Sequence, residues 1–221
     1  MTRAVGAAKG APAVDSGAPP YWMEACKHLS RRDRVMKKLI ALHPGAVLQS
    51  RGDAFTTLAR SVVGQQISVK AAQSVWNRFE ALVTPLTPQG VLRLKVDDMR
   101  QAGLSARKVE YLVDLSLRFS SDALNVHEWP GMTDEEIIKE LVAIRGVGRW
   151  TAEMFLIFHL MRPNVLPLDD AGLINGISQT YYSGEPVSRS EVRDLATSWA
   201  PFATVATWYI WRSLDPVPVN Y

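Results

Sequence analysis

Apolar residues recur three and four positions apart along most of this chain, and no run alternates apolar with polar residues long enough to demand a strand. That regularity restricts the fold to an all-α class with short connections. At 221 residues the chain can bury a sizeable core, in one large domain or two small ones. "YWMEACKHLSRRDRVMKKLIALHP" reads as helical from Tyr21, with Met36, Leu39, Ile40 and Leu42 on an apolar face and lysines and arginines opposite. That basic face is either a stripe turned toward a polyanion or, more commonly, a solvated helix surface. Asp53 is placed to cap a helix that breaks between Ser61 and Ser68, around Gly64-Gln65-Gln66, before a second helix begins. A short helix, a second from Val96, a turn at Gly103 and a helix from Ser105 follow. Thr133 and Glu136 form a capping box ahead of an apolar run. Two closing helices part near Pro201.

Composition narrows the function classes. A net charge of +3 is compatible with a polyanionic partner without demonstrating one. The single cysteine, Cys26, excludes an internal disulfide framework, a four-cysteine iron–sulfur cluster and a cysteine-rich zinc site. It fits a reducing, cytosolic setting. His28, His43, His127 and His159 are scattered, so no metal site built from side chains is expected. No apolar run reaches the roughly 18–20 residues of a membrane span. Residues 1–20, rich in Ala, Gly and Pro and without the apolar centre of a signal peptide, are expected to form a disordered tail.

The most informative stretch is "AIRGVGRWTAEMFLIFHL", Ala143 to Leu160. Gly146-Val147-Gly148 permits a tight reversal and bares backbone N–H groups. The helix that follows starts at about Gly148–Trp150, and its first N–H groups have no partner within the helix. They lie at the positive end of the helix dipole, an array suited to a phosphate. A plain turn between two core helices would account for the glycines alone. It does not account for Arg149, Trp150, Thr151 and Ala152 following at once.

The whole pattern, "LVAIRGVGRWTAEMF", resembles the helix–hairpin–helix of the DNA glycosylase superfamily. "VLPLDDAGLINGI" places Asp170 at the interval of that family's catalytic aspartate. "RSVVGQQISVKAAQSVWNRF" is similar to the segment such enzymes use to probe the minor groove, and "GLSARKVEYL" to a second phosphate-contacting turn. The similarity runs from about Asp53 to Trp211. Arg145 stands where many members have proline. The resemblance implies a two-lobed helix–hairpin–helix glycosylase fold with a central cleft. One lobe would span 59–160 and end in the hairpin motif at 141–160. The other would combine 21–58 with 162–221.

Within the family, Trp150 occupies the position of the lysine that strand-cutting members use. Indole cannot form a Schiff base, which implies a monofunctional enzyme. What remains is similar to the 3-methyladenine DNA glycosylase II group, which excises alkylated purines in base excision repair. Ala203-Thr204 departs from the Arg-Ser pair common there. An alkylated purine is cationic and already a good leaving group, so the pocket needs electron-rich faces more than an acid. Trp150 and Trp211 or Trp208 could supply them, at roughly 0.5–2 kcal/mol per desolvated cation–π contact. Helical spacing equally permits Trp208 and Trp211 to be core residues, and Met154, one turn after Trp150, to be either.

Asp170 would stabilise the oxocarbenium-like sugar, about 4 kcal/mol at 4 Å and an effective dielectric of 20, and orient the attacking water. "LDDAGLI" also reads as a helix cap, with Asp169 the alternative capping residue. By the same resemblance, Gly146, Val147, Gly148, Arg149 and Thr151 would contact DNA at the hairpin. Gln66 would fill the gap left by the extruded base, and Gln65 would hold the loop or the opposite strand. Ser68 would cap the following helix or contact the minor groove, and Lys108, with the backbone near Gly103–Ser105, would add phosphate contacts. Family hairpins can bind a monovalent cation through carbonyls, here those of Arg145, Gly146 and Gly148. No other cofactor is expected. The implied partner is double-stranded DNA with an alkylated base, bound by a monomer with no membrane partner. The place of action would be the cytoplasm (the nucleoid) of a bacterium or a eukaryotic nucleus. The competing readings are a catalytically silent DNA-binding module and a glycosylase for oxidised or mismatched bases.

Overall fold

A computed structural model describes residues 18–50, 52–121 and 123–214; most of the expected N-terminal tail, residues 1–17, lies outside the described residues. Among the described residues the chain is helical throughout and has no strand. The helices are α1 (Trp22–Arg32), α2 (Arg34–Leu42), α3 (Ala54–Gly64), α4 (Val69–Ala81), α5 (Pro88–Leu92), α6 (Val96–Gln101), α7 (Ala106–Ser120), α8 (Asp134–Val142), α9 (Arg149–Phe158), α10 (Ala171–Tyr181), α11 (Arg189–Ala196) and α12 (Ala203–Leu214).

Most starts follow from one polar side chain each. Asp53, Ser68, Thr87, Ser105, Thr133 and Ser188 all accept a backbone N–H of the first turn of the helix they precede, and Thr133 and Ser188 complete capping boxes. The helical run from Tyr21 is two helices, not one. Asp33 leaves helical geometry, and its Oδ1 accepts the N–H groups of Val35 at 2.8 Å and Met36 at 3.0 Å, so it starts α2 inside an unbroken periodic pattern. Leu42, expected on the apolar face, closes that helix and is 70% exposed.

The helices pack in two groups. In one, α3 packs on α4, α7 and α9, while α5 and α6 pack on α7 and α8 on α9. In the other, α12 packs on α1, α2 and α10, and α11 on α10. The division expected between 58 and 59 falls inside α3, which belongs whole to the first group. From Thr151 to Phe158 every residue of α9 is buried, which is why this segment shows no polar face in the sequence.

The crossing from α9 to α10 is pinned from both groups. Thr204 donates to the Arg162 carbonyl at 2.6 Å and accepts from Val165 N–H at 2.9 Å, while Arg162 donates to the Trp129 and Met132 carbonyls at 2.5 and 2.9 Å. Thr204, one of the two residues that depart from the family's usual pair, therefore fixes the loop that delivers Asp170.

Candidate active site

Asp170 caps α10 and is 8% exposed. Its Oδ1 accepts the Leu173 N–H at 2.6 Å and the Trp211 indole N–H at 2.8 Å. Its Oδ2 accepts the Trp150 indole N–H at 2.8 Å. Capping and indole binding thus coexist on one carboxylate. The two rings come from different packing groups, α9 and α12, so Asp170 sits where the groups meet. Trp211 is held flat by Phe158, with ring centroids 5.8 Å apart and planes inclined by 13°. Asp169, the alternative cap, is instead exposed and pairs with Arg189 at 2.6 Å.

The hairpin lies one turn of chain ahead of Trp150. Gly146 has φ +81°, a conformation that requires glycine here, and a Cβ on it would fall 2.2 Å from Cδ2 of Tyr111. Gly148 differs: its φ is −90° and a Cβ there would meet nothing within 4 Å. Neither conformation nor packing demands glycine at that position. No side chain caps α9, in contrast to most of the other helices. Val147 is 4% exposed and belongs to the core, and its N–H is bonded to the Ile144 carbonyl at 3.1 Å. Arg145 donates its backbone N–H to Asp114 at 2.8 Å and its guanidinium to Glu110 at 3.1 Å. A proline, common in the family at this position, could not make the first bond.

Arg149 does not stand free beside the hairpin. It binds Glu135 and, at 3.0 Å, Glu153. Glu153 is 5% exposed; burial pushes its carboxyl above the ordinary range, and the Arg149 charge opposes that shift without cancelling it.

A cleft of about 1270 Å³ opens between α3, α4, α7 and the start of α9. Trp150, Thr151 and Met154 of α9, Gly146 and Gly148 of the hairpin, and Gln65, Gln66, Ser105 and Lys108 all line it. Gln66 has φ +59°, left-handed for a residue with a side chain, at a cost of roughly 1–3 kcal/mol. It is exposed, next to Ile67, which is 40% exposed. Ser68 spends its hydroxyl on Ala71 N–H at 3.3 Å, capping α4. Gln65 donates to the Gly146 carbonyl at 2.9 Å.

Trp208, Lys108 and two hairpin carbonyls, all expected at the site, have other engagements. Trp208 packs edge-on against Trp22, with centroids 5.2 Å apart, and under the Arg212 guanidinium; it belongs to the core between α1 and α12, not to a pocket wall. Lys108 donates its ammonium to the Val63 carbonyl at 2.7 Å, and burial lowers its pKa. Of the carbonyls expected at a cation, that of Gly146 accepts the Gln65 amide N–H at 2.9 Å and that of Gly148 the Ala152 N–H at 3.0 Å. Among the described residues no cluster of His, Cys, Asp or Glu could hold a metal. Tyr111 and Glu153 were not anticipated. Tyr111 acts on a residue 35 positions away and no local motif marks it, whereas the i, i+4 spacing of Arg149 and Glu153 is a local signal that could have marked Glu153.

The comparisons with known proteins agree with this architecture. Residues 59–201 match the HhH-GPD superfamily, described as base excision DNA repair proteins. The Bacillus subtilis protein YfjP is 30% identical over 78% of this chain, which spans 63% of that relative's length. The Schizosaccharomyces pombe 3-methyladenine DNA glycosylase, solved in complex with abasic DNA, is 31% identical with a TM-score of 0.75, covering 90% of this chain and 99% of that one. A DNA-3-methyladenine glycosidase from Bacillus halodurans is 34% identical with a TM-score of 0.80, covering 86% and 89%. No helix among the described residues is long and apolar enough to cross a membrane. By sequence and by fold, the chain belongs to the HhH-GPD superfamily of base excision DNA repair proteins, in its 3-methyladenine DNA glycosylase group.

Proposed function

We propose that this chain is a monofunctional DNA glycosylase that hydrolyses the N-glycosidic bond of alkylated purines of the 3-methyladenine and 7-methylguanine type in double-stranded DNA, acting as a monomer. The observation that carries the reading is the Asp170 carboxylate, held by the indole of Trp211 and by that of Trp150, which lines the cleft together with the hairpin glycines.

The steps follow from the residues. Gly148 and the uncapped start of α9 offer backbone N–H groups to a phosphate; the openness at Gly148 lets that phosphate approach closely. Gln66, already turned outward in left-handed geometry, fills the stack as the target nucleotide leaves it. The base comes to rest against Trp150 and Met154, where the electron-rich ring face favours a cationic purine. Because that base departs without protonation, the demand falls on the sugar. Asp170 stabilises its developing positive charge and orients the water that attacks it. Three N–H donors fix the carboxylate in advance, so little reorganisation is left for the reaction itself. Trp150 carries no amine, so no covalent attack on the sugar follows.

The test is base release measured separately from strand nicking, on duplexes carrying 3-methyladenine, 7-methylguanine, hypoxanthine or 8-oxoguanine. Release of the alkylated purines without nicking is expected. Nicking without added base would overturn the monofunctional reading. Binding without release would make the chain a silent module, and release of 8-oxoguanine alone would move it to the oxidised-base class.

A further inference from the structure

Gln65 and Gly146 are 81 positions apart in sequence, yet Gln65 Nε2 donates to the Gly146 carbonyl at 2.9 Å. One belongs to the loop that carries Gln66; the other belongs to the hairpin. Both rest on α7. Lys108 binds the Val63 carbonyl at the end of α3, just before the loop, and Tyr111, one turn further along α7, lies under the Gly146 backbone. On its far side the loop is stopped by the Ser68 cap of α4. The Gln65 bond closes a triangle of α3, α7 and hairpin, and Gln66 is the residue next to it.

We propose that Gln65 is a positioning residue whose amide ties the probe loop to the hairpin, so that gripping the phosphate and inserting Gln66 occur as one movement. This rests on the reading that the chain extrudes its target base. The chemistry of the bond requires an N–H donor on a side chain of this length. Glutamate has the same shape, but its carboxylate would face the Gly146 carbonyl with no proton to give. Without the tie, Lys108 still holds the end of α3 and Tyr111 still lies against Gly146, but loop and hairpin are no longer joined to each other. The fold and the phosphate grip therefore survive, and the loss falls on extrusion.

That loss depends on the substrate. Unpairing costs most for a base in an intact pair and least for one already unpaired. The experiment is single-turnover release of 7-methylguanine from two synthetic duplexes, with the lesion opposite cytosine or opposite an abasic site. It uses wild type, Gln65→Glu and Gln65→Ala, with DNA affinity measured alongside. Both variants are expected to lose about tenfold on the paired lesion, stay within about threefold of wild type on the unpaired one, and bind DNA within about threefold. Gln65→Ala removes the amide without adding charge and must show the same split. Equal losses on both duplexes, or no loss on the paired one, would overturn the proposal. If wild type releases no base from either duplex, the glycosylase reading itself fails, and the tether proposal fails with it.

Discussion

Asp33 and Asp170 are built alike but differ in how fully their oxygens are engaged. Each starts a helix, each is 8% exposed, and each accepts an indole N–H from a distant element. Asp33 accepts from Val35, Met36, the Tyr181 hydroxyl at 2.6 Å and the Trp199 indole at 3.0 Å. Four donors use all of the roughly four acceptor positions of a carboxylate. Asp170 has three donors among the described residues, and its second oxygen takes only Trp150. A saturated carboxylate can only hold elements together. One with an acceptor position to spare, next to a ring that lines the cleft, can also act on something outside the protein. Capping and burial, then, do not separate the two aspartates; the donor tally and the neighbours do.

The strongest way to break this comparison is to neutralise Asp170. Asp170→Asn is expected to lower base release about a thousandfold while DNA affinity stays within about threefold. The asparagine can keep the Leu173 and Trp211 bonds, so the melting temperature should move little. Its amide turns a donor toward the Trp150 N–H, and the charge is gone. Excision near the wild-type rate would refute the assignment. The matched change on the other side, Asp33→Ala, leaves two backbone N–H groups, a hydroxyl and an indole without their acceptor. A stability loss of about 3 kcal/mol is expected in denaturant titration, with normal activity per folded molecule at low temperature. If Asp33→Ala were stable and inactive, the roles of the two sites would be reversed.

How much of this contrast the sequence announces depends on range. Local signals carry well: the cap at Asp53, the helix from about Ser105, the box at Thr133–Glu136 and the break around Gly64-Gln65-Gln66 are all present as read. Asp170 is legible through its interval from the hairpin and ambiguous through its own neighbours, since a cap and a reactive carboxylate share the same short pattern. Asp33 is invisible, because its partners Tyr181 and Trp199 lie 148 and 166 positions away and the helical periodicity runs straight through it. The same distance hides the core role of Trp208. Its i, i+3 relation to Trp211 places both rings on one helix face. Only the packing of α1 decides that one meets Trp22 and the other Asp170. Gly146 is legible as a turn, whereas the Tyr111 ring that makes a larger residue impossible there is not.

A finer test removes one donor from each carboxylate. Trp150→Phe keeps an aromatic face in the cleft and deletes the N–H that fixes Asp170 Oδ2. About a tenfold fall in single-turnover release is expected, appearing in kcat more than in KM, because orientation of the carboxylate matters most at the transition state. No strand nicking should appear. A variant with unchanged kcat would mean that the indole contributes only its face.

The partner change, Tyr181→Phe, takes one of four donors from Asp33 and should cost about 1 kcal/mol of stability at neutral pH, with activity unaffected. It also carries a pH signature. Burial first, then the hydrogen bond and charge of Asp33, raise the Tyr181 hydroxyl well above the ordinary tyrosine range. The unfolded chain ionises near pH 10, while the folded chain keeps that proton. The contribution is therefore complete below about pH 10 and declines as pH rises beyond it. Wild type should lose melting temperature steeply between about pH 10 and 11.5, and Tyr181→Phe less steeply, so that the two curves converge. Tyr21 and Tyr209, also raised by burial, keep the variant's curve from becoming flat. Parallel curves would show that Tyr181 shields Asp33 without being held neutral by it, and the closed character of the Asp33 site would then rest on Trp199 and the backbone alone.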